Sequence, residues 1–228
     1  MFRITFLKEL HAMSTEENMQ SESAPAAGAQ TPLRMVHTSV SSFDNNCYLL
    51  CCGNEGLLVD AADDALGLLK LAEDEGVKIT AVLTTHRHHD HVRALKEVLH
   101  HTGATHYAPF LDSPALPAPV DVELHYEDSI SFAGHTLPVI ILRGHTPGGA
   151  CLVADIDGVT NLFVGDSLFP GGLGKTNTEG DFERLFNDVT HFVFDEFPDE
   201  TIVWPGHGKP TTLGAERPHL REWWDRKW

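Results

Sequence analysis

The run Thr85-His86-Arg87-His88-His89-Asp90-His91 constrains this chain more than any other stretch. It follows Ile79-Thr80-Ala81-Val82-Leu83-Thr84, an apolar segment of strand length, and precedes a helical pattern that places Val92, Leu95 and Leu99 on one face before Gly103 stops it. His86, His88, Asp90 and His91 therefore occupy a strand-to-helix junction, where a connecting loop projects side chains from the strand end. Imidazoles and a carboxylate at this density suit a divalent metal ion.

The same context recurs three times. His145 follows the apolar run Leu137–Leu142 through Arg143-Gly144, Asp166 follows Phe163-Val164-Gly165, and His207 follows Val203-Trp204-Pro205-Gly206. Four strand ends thus deliver metal-capable side chains, three of them beside a glycine that permits close backbone approach. Five imidazoles and two carboxylates exceed what one ion with an open catalytic position uses, whereas two ions with a bridging carboxylate consume all seven. His86 and His88 can converge with His145 on one ion, Asp90 and His91 with His207 on a second, and Asp166 can bridge. A mononuclear site using part of the set is the narrower alternative, and a solvated loop in a chain with 15 histidines is the bland one. His89 points the other way and is expected outside the coordination set. His37, His106, His125 and His135 read as core or supporting positions, and His100, His101, His191 and His219 as surface ones.

The remaining sequence fits one domain. Residues 1–34 contain polar and small-residue stretches such as Ser21-Glu22-Ser23-Ala24-Pro25, which bury too little to offset ordering, so a flexible extension is expected before a domain spanning 35–228. Short apolar segments at 36–39, 47–51 and 56–60 read as strands. Asp63 is placed to cap a helix with Leu66, Leu69 and Ala72 as its stripe and Gly76 at its end. Segments at 105–108, 122–126, 129–132, 137–142, 150–154, 161–164 and 201–204 read as further strands, with Asp157-Gly158 as a hairpin turn. The run Pro109 to Pro119 reads as loop. Phe182, Leu185, Phe186 and Val189 mark a helix, and Leu220–Trp224 a terminal one. Hairpins in both halves favour two mixed sheets with outer helices over a doubly wound sheet. Trp223, Trp224 and Trp228 are expected to pack against the domain or another subunit.

Charge and composition exclude several classes. A formal charge of -17 opposes wrapping of nucleic acid and offers no polybasic membrane patch. No run of about 18 apolar residues suits a membrane span, and Lys8 and Glu9 break any secretory core, so a cytoplasmic protein is expected. Cys47, Cys51, Cys52 and Cys151 form no thiolate zinc cluster or redox pair and are expected buried and reduced. Gly171-Gly172-Leu173-Gly174-Lys175-Thr176 is not a phosphate loop, because Pro170 stands where its first glycine is required. As a wall beyond Asp166 it can offer Lys175 as a positive substrate anchor.

The ordered set of HxHxDH at 86–91, Gly-His at 145, Gly-Asp at 166 and Gly-His at 207 resembles the metallo-β-lactamase-fold superfamily over residues 35–210. The segment Gly165–Thr176 is similar to the glyoxalase II-like hydrolases. The resemblance implies an α/β four-layer αββα sandwich with a dinuclear site at one sheet edge. It implies His86, His88 and His145 on the first metal, Asp90, His91 and His207 on the second, and Asp166 between them. Zinc is the implied metal, with Fe2+ or Mn2+ as alternatives. Lys175 matches the family's basic position in the substrate loop, while Asn177 stands where an aromatic residue is usual. Glyoxalase II enzymes add a helical C-terminal region with glutathione-binding basic residues, whereas about 20 residues follow His207 here. The resemblance therefore does not extend to glutathione specificity.

The expected activity is metal-dependent hydrolysis of a small-molecule thioester or related acyl substrate, with water as nucleophile, Asp166 bridging and Asp90 orienting the nucleophile and managing its proton. The competing readings are a lactonase, a mononuclear-iron persulfide dioxygenase, and a non-enzymatic metal-binding scaffold. A monomer or small homo-oligomer is expected.

Overall fold

A computed structural model describes residues 30–227. Most of the expected N-terminal extension, and Trp228, lie outside them. Buried Leu33 precedes the first strand, β1 (Arg34–Val40), which is followed by β2 (Asn45–Cys52) and β3 (Glu55–Val59). Helix α1 (Ala65–Asp74), β4 (Lys78–Leu83), a 3-10 turn at His89–His91, α2 (Leu95–Thr102), β5 (Thr105–Pro109) and β6 (Val122–Leu124) complete the first half. The second half comprises β7 (Ser129–Phe132), β8 (His135–Leu142), β9 (Gly149–Ile156), β10 (Val159–Gly165), a small hairpin of β11 (Leu168–Phe169) and β12 (Gly172–Leu173), and α3 (Glu179–Val189). After α3 comes one π turn at Thr190–Phe194, and the chain then forms β13 (Ile202–Pro205), β14 (Thr211–Thr212), α4 (Leu213–Glu216) and α5 (Leu220–Arg226).

The strands form two six-stranded mixed sheets, in the orders β1-β2-β3-β4-β5-β6 and β14-β13-β10-β9-β8-β7. Strict alternation along the strands builds the layers, since successive side chains point to opposite faces. On β2, Cys47, Leu49 and Cys51 join a cluster with Ala65, Leu68 and Ala72 of α1 and Leu95 and Val98 of α2. Tyr48, Leu50 and Cys52 face the other way, into a core shared with Val139, Ile141, Leu152 and Phe163 of the second sheet. On β9 and β10, Cys151, Val153, Leu162 and Val164 pack outward against Phe182, Leu185 and Val189 of α3 and Trp223 of α5. Three apolar layers between helix, sheet, sheet and helix are the αββα sandwich. Continuous apolar runs such as Leu57-Leu58-Val59 occur because both strand faces are covered.

Two details of α1 differ from expectation. Its cap is Asp64, whose side chain accepts from the Gly67 N–H, and not Asp63. The buried stripe is Ala65, Leu68 and Ala72, while Leu66 is 68% exposed. Of the expected stripe, Ala72 is buried and Leu69 packs partly buried on the core, but Leu66, about 100° further round the helix than Ala65, faces solvent, and Asp63 pairs with Arg93. The expected strand at 122–126 ends at Leu124, and the Pro109–Pro119 loop contains a 3-10 turn at Ser113–Ala115. All four cysteines are free and buried. Trp223 is buried against Phe194, and Trp224 packs on Phe182 and Phe186. No helix among the described residues is long and apolar enough to cross a membrane.

The sheets are joined where their strands end. The Ala150 N–H donates to the Thr85 carbonyl and the Asn46 N–H to that of Gly206, both at 2.8 Å, and within the second sheet the Gly206 N–H donates to Gly165 at 2.7 Å. Strands β3 and β4 run parallel in one sheet and β10 and β13 in the other, so their C-terminal ends meet at this common edge.

Candidate metal centre

All seven ligands expected from the sequence reach this edge. His86, His88 and His145 form one group whose ligand atoms all lie within 4.8 Å of one another, and Asp90, His91 and His207 form a second. Asp166, directly after β10, lies between them. Its Oδ1 is 3.4 Å from His91 Nε2, and its Oδ2 is 3.5 Å from His145 Nε2 and 3.4 Å from His207 Nε2. The carboxylate thus touches a member of each trio. His89 is exposed on the 3-10 turn, outside both groups. His106 is buried in the first sheet, where it contacts Thr84 and the Pro119 carbonyl, and His100, His101, His191 and His219 are at the surface.

Hydrogen bonds fix which ring nitrogen faces inward in four of the five histidines. His145 Nδ1 lies 2.7 Å from the Lys175 carbonyl, and His207 Nδ1 lies 2.7 Å from the Phe43 carbonyl. A carbonyl only accepts, so each Nδ1 carries the proton. Asp60 plays the same part for His91, with Oδ2 2.9 Å from Nδ1. Thr85 Oγ1 donates to Asp60 Oδ2 and is thereby left to accept from His86 Nδ1 at 3.0 Å. In all four rings Nε2 is directed at the centre. His86 Nε2, His145 Nε2 and Asp166 Oδ1 are buried and have no hydrogen-bond partner. His91 Nε2 and His207 Nε2 approach within 3.1 Å. Two ring nitrogens this close need a proton or a cation between them.

The electrostatics agree. Burial lowers the pKa of His86 well below the ordinary histidine value, aided by neighbouring His91, and burial likewise lowers His88 and His145. These imidazoles stay neutral, the form that binds metal. Burial would also depress His91, but Asp166 and Asp60 outweigh it and carry the value to about 10. Burial opposes ionisation of Asp166, yet contacts with His207 and His91 hold its carboxyl far below the usual range. Asp60, Asp90 and Asp166 thus make the second trio favour positive charge, a proton or a metal ion.

The surrounding chain is shaped around Asp166. A Cβ on Gly206 would stand 2.2 Å from Asp166 Oδ1, and one on Gly174 would stand 1.7 Å from the Asp166 carbonyl oxygen. Both glycines are required for close approach. From β2, Asn45 donates to Asp90 Oδ2 at 3.0 Å, while Asn46 and Tyr48 donate to the Pro205 carbonyl ahead of His207. Buried Asp112 accepts from the Arg87 and Gly148 N–H groups, tying the His88 loop to the His145 loop. Buried Asp188 accepts three hydrogen bonds from Arg143, which fixes the turn entering His145.

Sequence reasoning missed Asp60, Asn45 and Asp112. A charged residue closing the apolar run Leu57-Leu58-Val59-Asp60 was the available signal for the first. The other two carry none, because their partners are backbone groups or residues remote in sequence. Lys175 is exposed, and its side chain makes no hydrogen bond or ion pair among the described residues. Its firm contact is its backbone carbonyl, which orients His145.

A family model described as the metallo-beta-lactamase superfamily matches residues 42–207, from before β2 to the last ligand. The chain belongs to the metallo-beta-lactamase superfamily. The superfamily and the names of its relatives indicate a metal-dependent hydrolase, and the orphaned Nε2 and Oδ1 atoms fit divalent ions. Among relatives, the hydroxyacylglutathione hydrolase of Gloeobacter violaceus is 33% identical over 188 residues, covering 80% of this chain and 70% of that one. That of Tolumonas auensis is 31% identical, covering 75% and 64%. An uncharacterized protein of Mycobacterium leprae is 32% identical over 202 residues, covering 75% and 90%. The chain therefore spans about two thirds of these hydroxyacylglutathione hydrolases. Among solved structures, the BLEG-1 B3 metallo-beta-lactamase superposes with a TM-score of 0.73 at 27% identity, covering 82% of this chain and 98% of that one. TTHA1623, solved in a di-iron-bound form, gives 0.66 at 29% identity, covering 80% and 96%.

Proposed function

We propose that this superfamily member is a dinuclear metal-dependent hydrolase of thioesters or related acyl compounds, with His86, His88 and His145 holding one ion, Asp90, His91 and His207 the other, and Asp166 both. The observation that carries the reading is the position of Asp166, within 3.5 Å of histidines from both trios. Divalent ions bound there would supply Lewis acidity toward a carbonyl oxygen and make water acidic enough to ionise near neutral pH. Zinc suits the nitrogen and oxygen donors, as do iron and manganese.

The protein's own groups act around that chemistry. Asp60, Thr85, Phe43 and Lys175 hold four imidazoles in the tautomer that presents Nε2. Asn45 keeps one Asp90 oxygen engaged, which orients the carboxylate to receive a proton from attacking water. Lys175, exposed on the wall beyond Asp166, anchors substrate. The relatives named hydroxyacylglutathione hydrolase support a thioester as the bond cleaved.

The test is a substrate panel on protein stripped with chelator and reloaded with zinc, iron or manganese. Thioester hydrolysis should vanish on stripping and return on reloading. Faster cleavage of acyl lactones than of any thioester, or oxygen-dependent sulfite formation from a persulfide by a single-iron form, would overturn the reading.

A further inference from the structure

Beside the first trio opens a cleft of about 250 Å³ whose wall includes His88, His145, Arg87, Arg184, Thr146 and Asp181. Its charge runs against that of the molecule. The chain carries -17, yet Arg87 and Arg184 are exposed here and their side chains make no hydrogen bond or ion pair among the described residues. The nearby carboxylate is engaged elsewhere: Asp181 Oδ2 accepts from the Thr178 hydroxyl at 2.7 Å, in the cap of α3. A third donor joins them. Thr146 is 4% exposed, and its hydroxyl has no hydrogen-bond partner.

Two guanidinium groups and a buried hydroxyl offer donors in excess of acceptors, and planar guanidinium forks match carboxylate and phosphate oxygens. An acidic surface elsewhere would repel an anion, so positive charge confined to this cleft would also select where an anion docks. We infer that Arg87, Arg184 and Thr146 form a subsite for an anionic group, so that this enzyme prefers substrates bearing a carboxylate or phosphate on the part that reaches past His88 and His145. The inference rests on the hydrolase reading for what the ligand is, but the anion subsite itself does not require turnover.

The experiment measures binding of a matched pair of non-hydrolysable thioethers, 3-(benzylthio)propanoate and 3-(benzylthio)propanamide, to metal-loaded protein by calorimetry. The acid should bind about tenfold more tightly than the amide, the range expected of one charge-assisted contact. That ratio should fall to within about twofold in Arg184→Ala or Arg87→Ala and stay intermediate in Arg184→Lys. Arg221→Ala, an equal charge change on α5, should leave it intact. Metal content and circular dichroism verify that each variant keeps its centre and fold. Equal affinities in the unmodified protein, or a ratio that survives both arginine-to-alanine variants, would overturn the inference. Turnover of succinyl against butyryl thioesters, and of acetyl thioesters of 3-mercaptopropanoate against its amide, then assigns the charge to the acyl or the thiol side. A protein that cleaves none of these thioesters contradicts the hydrolase reading while the binding ratio still decides the subsite.

Discussion

Asp60 holds His91 at 2.9 Å while its other oxygen accepts the Thr85 N–H at 2.7 Å, so one carboxylate at the end of β3 sets both a ligand and the loop that carries the first histidines. Asp60→Asn keeps the shape but weakens the pull on the His91 Nδ1 proton. Metal affinity should drop on the order of 10- to 100-fold, the cost of losing such an outer partner. Chelator competition reads this directly, and unchanged affinity would remove Asp60 from the account.

Gly206→Ala and Gly180→Ala separate crowding at the centre from a general glycine effect. At Gly206 the new methyl would stand 2.2 Å from Asp166 Oδ1, so metal occupancy should fall while the circular dichroism spectrum is retained. At Gly180, inside α3, the nearest atom is 3.9 Å away, and alanine should stabilise by roughly 0.5 kcal/mol through lower unfolded-state entropy. Metal analysis and thermal melts check the pair.

Much of this site was legible because its chemistry is written in residue type and spacing. His86, His88, Asp90 and His91 share one loop, and His145, Asp166 and His207 each follow an apolar run by one to three residues. What was illegible depends on tertiary contact. Nothing in the run Pro109 to Pro119 marks Asp112 as the link between Arg87 and Gly148, and β2 reads only as apolar strand, concealing that Asn45 steadies Asp90. The helix α1 cap was placed one residue early because Asp63 and Asp64 are equally good caps by type and the salt bridge from Arg93 engages Asp63, while of the expected stripe only Leu66 misses the core. The four layers themselves follow from alternation, since Leu57, Leu58 and Val59 are all buried only if both faces of β3 are covered.

Asp112→Ala would leave the Arg87 and Gly148 N–H groups without partners inside the protein. The buried Gly148 N–H left unpaired costs about 1–3 kcal/mol, so a loss of several °C in Tm is expected. Because the two groups flank His88 and His145, metal loss should accompany the destabilisation. A variant with unchanged melting and full metal content would contradict this role.

The four thiols should be inert in the native state. Burial raises the Cys47 thiol to about 12 and raises Cys151 and Cys51 as well. At pH 8 a thiol reagent should report almost no reaction over minutes, and all four groups after addition of guanidinium. Rapid modification of any cysteine in the native protein would show a thiolate that the buried positions do not provide.

Metal stoichiometry tests the central claim most directly. Native mass spectrometry of zinc-loaded protein should find two ions per chain, and Asp166→Ala should reduce that to one or none together with loss of thioester hydrolysis. One ion per chain at saturating zinc, or two ions with undiminished turnover in the Asp166→Ala variant, would contradict a dinuclear centre bridged by Asp166.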